Sequence, residues 1–193
     1  NGFPNKKSED WKFSDLNSIL VKNFNSIVNK DLLSEDKKLK IIEEFDHNFI
    51  FLIDGKLISN NFDYEDKNSI FVKDYNYKSE IKLDKQSSLT LLNNALATGG
   101  FTLEVSKNYK FIKPLVIYNY FSKNLKESIL NNKNSIILND KSELTLINYI
   151  DDESKDNFMT NTIDNLIIKK NASLKNIFIN NSRCNGYFYR YIK

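Results

Sequence analysis

The chain has 193 residues, of which 28 are basic and 25 acidic, and its net charge is +3 at pH 7. This length fits one domain with a small addition. The charges of both signs are interspersed, without the basic stripe that a nucleic-acid partner would require. The single cysteine excludes an internal disulfide. With no apolar run of 18 residues and no secretory signal in the first 30, the sequence predicts a cytoplasmic protein with no membrane partner.

The first 45 residues read as a loop followed by helices. Ser14 is a candidate N-cap, and Ser34 with two acidic residues after it is a second one. The apolar residues predicted to form the buried stripes of these two helices are Leu16, Ile19, Leu20, Phe24, Ile27, Val28, Leu39, Ile42 and Phe45. Trp11 precedes them and is interpreted as an anchor that packs this leader against the rest of the chain.

Residues 48–60 carry the clearest hairpin signal in the sequence. Asp54-Gly55 is a type I′ turn pair between two apolar runs. Residues 61–80 are polar and aromatic, with a strand candidate at Ile70–Val72, and are interpreted as a linker. Residues 1–80 are therefore predicted to form an N-terminal appendage, and residues 81–193 the core.

The segment 91–120 is central to that core. Its first residues have helical spacing, and Gly99-Gly100 then ends the helix because residues without a Cβ favour turns. Phe101, Leu103 and Val105 alternate with polar residues, as in a strand with one buried face. Pro114, which lacks an N–H, is expected at the start of the next strand.

The pattern of this segment recurs along the chain. Val105, Leu138 and Ile168 each end an apolar strand, at offsets of about 33 and 30 residues. Six residues after each of them, Phe111, Leu144 and Leu174 open the next strand. Strand pairs at Ile136–Leu138 and Leu144–Tyr149, then Ile163–Ile168 and Leu174–Ile179, would be successive turns of a coil, and residues 186–191 a further strand. We therefore predict a mainly β fold, a right-handed parallel β-helix preceded by the small helical and hairpin appendage; a set of ordinary meandering hairpins is the alternative.

The sequence offers little chemistry. His47 and Cys184, one of each type, cannot supply a four-ligand zinc site, and they are interpreted as a solvent-facing or locally bonded imidazole and a small buried hydrophobe. The charged run 151–156 is expected to be a solvated loop. Four carboxylates so close could bind a hard cation, but their spacing matches no EF-hand. No catalytic, cofactor-binding or metal-binding residue is predicted, and the chain is expected not to be an enzyme.

Two motifs give the chain a resemblance to a known family. The segment 91–121 resembles the start of the SufD β-helix, roughly L-N-x-A-x-x-x-x-G-x-x-L-x-V followed by a proline. The residues that match are Asn93 or Asn94, Ala95 or Ala97, Gly100, Leu103, Val105 and Pro114. The leader also resembles the G-x-P…E-x-W-K-[YF]-[ST]-D-L opening of that family, through Gly2-Phe3-Pro4, Glu9, Trp11-Lys12-Phe13 and Asp15-Leu16.

The resemblance implies a non-catalytic scaffold subunit of an iron–sulfur cluster assembly complex. SufD proteins pair with the paralogue SufB and with the ATPase SufC, which hydrolyses the ATP. In the family these contacts, and the Cys and His linked to cluster assembly, lie towards the C-terminus, so the contacts are expected mainly beyond residue 193. The chain is accordingly expected to be an N-terminal fragment, and no site residue is carried over.

Other functional classes stay open. The corner Val105-Ser106-Lys107-Asn108 departs both from the V-P-K-G of SufB and from the commoner SufD form, whereas the leader favours SufD. A stand-alone carbohydrate-binding or adhesive solenoid would need an exposed aromatic strip, for which Tyr118, Tyr120, Phe121 and Tyr149 are candidates. An enzyme that uses Asp151 or Asp152 with Glu153 ranks last, since adjacent loop residues do not fix the separation of two carboxyl groups.

Overall fold

A computed structural model describes residues 24, 26–27, 41–75, 88–183 and 185–193. Trp11, the residues of the first predicted helix up to Leu20, Val28, Leu39 and Cys184 lie outside these residues. The described chain is mainly β and forms a β-solenoid of about three turns, which confirms the predicted fold class.

The described elements are eleven strands, one α-helix and one 3-10 turn. In chain order they are β1 Ser26–Ile27, β2 Asn48–Ile53, β3 Lys56–Asn61, the 3-10 turn Lys67–Ser69, β4 Ile70–Asp74, α1 Ser88–Leu96, β5 Phe101–Val105, β6 Leu115–Phe121, β7 Ser128–Leu138, β8 Glu143–Asp152, β9 Phe158–Ile168, β10 Ser173–Asn180 and β11 Gly186–Ile192.

The strands form two sheets, and the chain passes from one to the other in every turn. The first sheet, called sheet A, has the order β11-β9-β7-β5-β4, with β1 beside β7; the second, sheet B, has the order β10-β8-β6-β2-β3. The strands β5 to β11 pair in parallel. Val105 pairs with Leu138 and Leu138 with Ile168, so the predicted stacking of these three residues on neighbouring rungs is confirmed.

One corner geometry repeats in all three turns. Asn108, Lys141 and Asn171 have φ values of 62°, 60° and 56°, in the left-handed region. A backbone bond closes each corner, from Tyr109 N–H to the Ser106 carbonyl at 3.2 Å and at the equivalent positions in the next two turns. The corners also bond to one another, because the Asn108 N–H donates to the carbonyl of Asp140, one rung further on, at 2.8 Å.

The space between the sheets holds two apolar clusters. The larger one contains the inward residues of β2, β5, β6, the second half of β7 and the first half of β8, including Leu103, Leu115 and Leu138, all fully buried. The smaller one, at the opposite corner, is built on Phe121, Leu125, Leu130 and Phe158. Each turn thus buries its inner face only against its neighbours, as expected for a solenoid.

The predicted hairpin is present and belongs to the coil. Asp54 and Gly55 both have positive φ, 46° and 77°, as a type I′ turn requires. Strand β2 pairs in parallel with β6 and contributes to the larger apolar cluster, so the hairpin is the first rung of sheet B. The strand predicted at Ile70–Val72 is also found, as β4, and it pairs antiparallel with β5. The interpretation of residues 61–80 as a linker is therefore wrong for the described part.

Two helical predictions are wrong in the described residues. Ile27, expected on a helix, lies in β1 and pairs in parallel with Ile129, because β5 covers only the second half of β7 and leaves the first half free. Residues 41–45 are not helical. Ile42 instead packs against the outer face of sheet B, where tertiary contacts outweigh the weak helical preference of a short segment.

The start of the core follows the prediction more closely. Helix α1 covers the apolar run from Leu91 and ends before Gly99. Gly100 has a φ of +124°, and an added Cβ would lie 1.9 Å from the carbonyl oxygen of Lys133, so only glycine fits. Strand β5 shows the expected alternation of buried and half-buried residues. Pro114 immediately precedes β6.

We predict that Leu138→Ala will lower the free energy of unfolding by about 2–5 kcal/mol, because it leaves a cavity in the middle of the inward ladder. Ile112→Ala is the matched control, since the Ile112 side chain is 71% exposed and its loss should cost no more than about 0.5 kcal/mol. Urea denaturation followed by circular dichroism measures both changes. Equal losses in the two variants would contradict an in-register core.

Candidate functional site

The last turn of the solenoid forms an end face with a large apolar surface. Six of the twelve large hydrophobic side chains that are exposed among the described residues lie on it, each 39–48% exposed. They are Ile167, Ile168, Phe178, Ile179, Tyr191 and Ile192. Strands β10 and β11 end their sheets, and no other described strand pairs with their outer edges. Exposed apolar groups beside a strand edge are the kind of surface that a further rung of the coil or another protein covers.

The same turn is strongly basic. Residues 165–193 contain six basic side chains and no acidic one, whereas the preceding 164 residues contain 22 basic and 25 acidic side chains. The basic residues are Lys169, Lys170, Lys175, Arg183, Arg190 and Lys193. The overall net charge of +3 conceals this asymmetry, and the description of the charges as interspersed does not hold for the last turn. Counting the charged residues separately in each repeat of the sequence would have revealed this asymmetry.

A polar network lies inside the coil beneath this end face. Arg190 of β11 points inward and forms an ion pair through its Nε with Asp164 of β9. Its Nη2 donates to the side-chain oxygen of Asn148 at 2.8 Å, and Asn134 donates to the other Asp164 oxygen at 2.8 Å. The side chains of Asp164 and Arg190 are only 4% and 19% exposed. The network therefore ties the two sheets together across the last two turns.

Sequence reasoning missed this network, although a signal exists. Asn132, Asn134 and Asp164 occupy inward positions of strands whose later inward positions are apolar, at Ile136, Leu138 and Leu166. Polar residues in register with a core ladder indicate a buried network. The amide oxygens of Asn132 and Asn134 are buried with no hydrogen-bond partner among the described protein groups.

We predict that Arg190→Met will cost about 3–5 kcal/mol of stability, since it leaves the Asp164 carboxylate buried without its cation. The double variant Asp164→Asn/Arg190→Met should be more stable than Arg190→Met alone, because the uncompensated charge is gone. Denaturant unfolding of the parent and both variants, at one pH and salt concentration, measures the difference. A double variant less stable than the single one would show that the ion pair is not the coupled unit.

A second polar cluster lies on the outer face of sheet B. His47 is 7% exposed, so it is not solvent-facing, and the predicted alternative of a locally bonded ring is correct. Its Nδ1 lies 2.8 Å from the Phe45 carbonyl oxygen and its Nε2 lies 2.7 Å from the Tyr118 hydroxyl. Because a carbonyl only accepts, Nδ1 carries the proton, and in the neutral ring Nε2 accepts from Tyr118. The Tyr118 oxygen in turn accepts from the Ile42 N–H at 3.0 Å.

This cluster fixes residues 41–47 against the sheet. The Tyr118 ring stacks on Phe51 with centroids 5.7 Å apart and meets the edge of Tyr149 at 5.7 Å. Burial raises the pKa of the Tyr118 phenol above its ordinary value. The hydroxyl is fully engaged in hydrogen bonds and buried, so the cluster is suited to structure and not to proton transfer with a ligand.

The raised pKa of Tyr118 predicts a loss of stability in alkali. The unfolded chain releases the phenolic proton near pH 10 and the folded chain only above it, so stability is fully present below about pH 10 and falls as the pH rises further. Tyr118→Phe should flatten this decline. At neutral pH it should cost about 1–3 kcal/mol, because the Ile42 N–H and the His47 ring lose their shared partner.

Urea titrations at several pH values between 8 and about 11 measure the decline. Tyr191→Phe is the matched control, since it removes the same hydroxyl from a side chain that is 42% exposed. The same slope in the parent and in Tyr118→Phe would refute the assignment to Tyr118.

The structure does not bring the remaining candidate site residues together. Asp151 and Asp152 belong to β8, not to a loop, and only residues 153–157 connect β8 to β9. No group of three or more His, Cys, Asp or Glu side chains in the described residues is placed to hold a metal ion. The proposed aromatic strip is divided: Tyr118 and Tyr120 are buried on the outer face of sheet B, whereas Phe121 is part of the smaller inner cluster. These rings do not form an exposed platform for sugars.

Comparison with known proteins leaves the family open: no protein-family model matches the chain, and no curated protein matches it. None of the helices in the described residues is long and apolar enough to cross a membrane. The geometry defines a β-solenoid whose last turn is an apolar and basic end face.

Proposed function

We propose that this chain is a scaffold subunit of an iron–sulfur cluster assembly complex of the SufB–SufC–SufD type, with a SufD-like role. The observation that carries the proposal is the place of the SufD-like segment in the fold. Residues 91–121 run from helix α1 through β5 and β6, so the segment that resembles the start of the SufD β-helix leads into the repeated parallel rungs of this coil, after the hairpin rung β2–β3.

Several of the residues that make up this resemblance have a structural role at the start of the repeated rungs. Asn93 is fully buried in α1, and its side-chain amide donates to the Asn132 carbonyl at 2.8 Å and the Asn161 carbonyl at 2.6 Å. It therefore joins the helix to two successive rungs of sheet A. Ala97 is 2% exposed, and Leu103 and Val105 head the inward ladder. These roles support the match at Asn93, Leu103 and Val105, whereas Ala95, the alanine at the motif spacing from Asn93 and Gly100, is exposed.

A scaffold needs a rigid body with surfaces for other subunits. The stacked rungs, the repeated corners and the Asp164–Arg190 pair supply a body in which each turn is fixed by its neighbours. The end face presents apolar groups that a further rung of the coil or another subunit would cover. A SufB-like role is the closest alternative, and cytoplasmic location, the SufB-like and SufC-like partners and the absence of catalysis belong to the proposal.

The proposal is tested by tagging the chain in its own organism and purifying the complexes that contain it. We expect a SufC-like ATPase and a SufB-like paralogue to co-purify in a fixed ratio, and depletion of the chain to lower the activity of iron–sulfur enzymes such as aconitase. An untagged strain is the control. Failure to recover either partner, with glycan binding by the purified chain, would favour a carbohydrate-binding solenoid.

A further inference from the structure

The corner between β5 and β6 is longer than the matching corners of the later turns. Between the pairs Lys110–Glu143 and Leu115–Leu146, the first turn has four residues and the second turn has two. The third turn repeats the shorter form of the second. The first turn therefore carries two extra residues, Ile112-Lys113, as a bulge on an otherwise regular corner.

The Glu65 carboxylate fixes this bulge in one conformation. It accepts hydrogen bonds from the backbone N–H groups of Ile112 and Lys113, at 3.1 and 3.0 Å. The Tyr109 hydroxyl and the Asn48 side-chain amide also donate to it, at 2.7 and 2.8 Å. Because hydrogen bonds to an ionised acceptor are stronger than those between neutral groups, these four donors hold the bulge firmly.

The side chain that the bulge displays lies outside the apolar clusters of the described residues. Ile112 is 71% exposed, the highest value among the twelve exposed large hydrophobic side chains. A side chain left in water contributes little to folding, since its hydrophobic contribution arises only on burial. A segment that is already fixed also loses little entropy when another molecule covers it. A rigid bulge with an exposed aliphatic tip is therefore suited to binding.

Two exposed aromatic residues lie near the bulge. The Asp46 carboxylate accepts a hydrogen bond from the Tyr64 hydroxyl at 3.2 Å and forms an ion pair with Lys113 at 3.2 Å. The Lys113 ammonium lies 5.8 Å from the centre of the Tyr64 ring. Tyr64 is 43% exposed, and Phe45, which precedes Asp46, is 39% exposed. Phe45, Tyr64 and Ile112 are called the corner patch below.

The surroundings of the corner patch are acidic. Residues 41–66 contain seven acidic side chains and one lysine. The lysine of the bulge, Lys113, is paired with Asp46, whereas Glu43 and Glu44 are exposed. A partner with a basic rim would be attracted by this charge, and nucleic acids and anionic membranes would be repelled.

We propose that the corner patch is a docking surface for a partner protein that offers an apolar pocket rimmed by lysine or arginine, and that Ile112 enters this pocket. A convex side chain requires a concave partner, and pockets of this kind belong to proteins, not to small molecules or sugars. The patch lies in the first turn, so a further rung beyond β10 and β11 would not cover it. Such a surface does not require the proposed role in iron–sulfur cluster assembly.

Site-specific photocrosslinking identifies the partner. The photoreactive residue p-benzoylphenylalanine is placed at position 112 of the full chain, in cells of its own organism. A matched control carries it at position 124, where Asn124 is exposed on the opposite corner. We expect irradiation to link one protein to position 112 and not to position 124, at a site rich in lysine or arginine. No product at position 112, or the same product at both positions, would overturn the proposal.

Isothermal titration calorimetry with the purified partner measures the contribution of Ile112. Ile112→Asp should weaken binding at least about tenfold, because it would place a carboxylate in an apolar pocket. Phe71→Asp is the matched control: Phe71 is 57% exposed on the outer face of sheet A, between two residues of the inner cluster, and its replacement should leave the affinity unchanged. Equal affinities of Ile112→Asp and the parent would contradict the proposed role of Ile112.

Charge reversal tests the basic rim of the partner. Glu43→Lys/Glu44→Lys should weaken binding at least about threefold and reduce its dependence on salt. Glu153→Lys/Asp156→Lys makes the same change of net charge in the loop between β8 and β9, and should leave the affinity unchanged. Circular dichroism confirms that each variant is folded. Equal effects of the two pairs would overturn the electrostatic part of the proposal.

Two other occupants of the corner patch would also overturn the proposal. If another part of the same chain covers Ile112, Ile112→Asp will lower the urea concentration at the midpoint of unfolding, and Phe71→Asp will not. If a second copy covers it, the crosslinked product will be a dimer of the chain, and light scattering will show a dimer that Ile112→Asp disrupts.

Discussion

The stacking of one corner on the next sets the geometry of this molecule. Asn108, Lys141 and Asn171 turn the chain with the same left-handed conformation. The N–H of the residue after each closes its own corner, and the N–H groups of Asn108 and Lys141 donate to the corner of the next turn. A shift of one residue in any strand would move its whole apolar set to the other face of the sheet. Because these corners fix where β5, β7 and β9 end and where β6, β8 and β10 begin, they hold the inward ladder from Val105 to Ile168 in register.

The interior of the coil also contains polar side chains in register with the apolar ones. The two apolar clusters inside the coil are separated by a band of buried amide side chains and one ion pair, so the core is not apolar throughout. An ion pair of this burial contributes little net stability, but removing one member leaves an expensive charge. The band therefore favours one pairing of sheet A with sheet B over others, since Arg190 reaches both Asp164 and Asn148 only in the observed arrangement.

Much of the coil could be predicted because its signals are local. The hairpin at Asp54-Gly55, the break at Gly99-Gly100 and the alternation in β5 each depend on a few adjacent residues with a stated conformational cause. The repeat of Val105, Leu138 and Ile168 then supplied the long-range order. The predicted end strand also appeared, as β11.

The errors arose where partners distant in sequence decide the structure. Ile27 joins a strand because β7 has an unpaired half, and residues 41–47 follow the sheet because Tyr118 offers hydrogen bonds to Ile42 and His47. A search for helical periodicity does not reveal either of these partners. The Asp164–Arg190 pair was missed for a related reason: its members are 26 residues apart, and only the register of the rungs places them together.

The parallel rungs also decide how the molecule would respond to mechanical load. Each turn of the solenoid is held by backbone bonds to its neighbours and by few contacts beyond them. A force that pulls β11 away from β9 would therefore act first on the bonds between these two strands, and the turns would detach one after another. Resistance would come in steps, one for each turn.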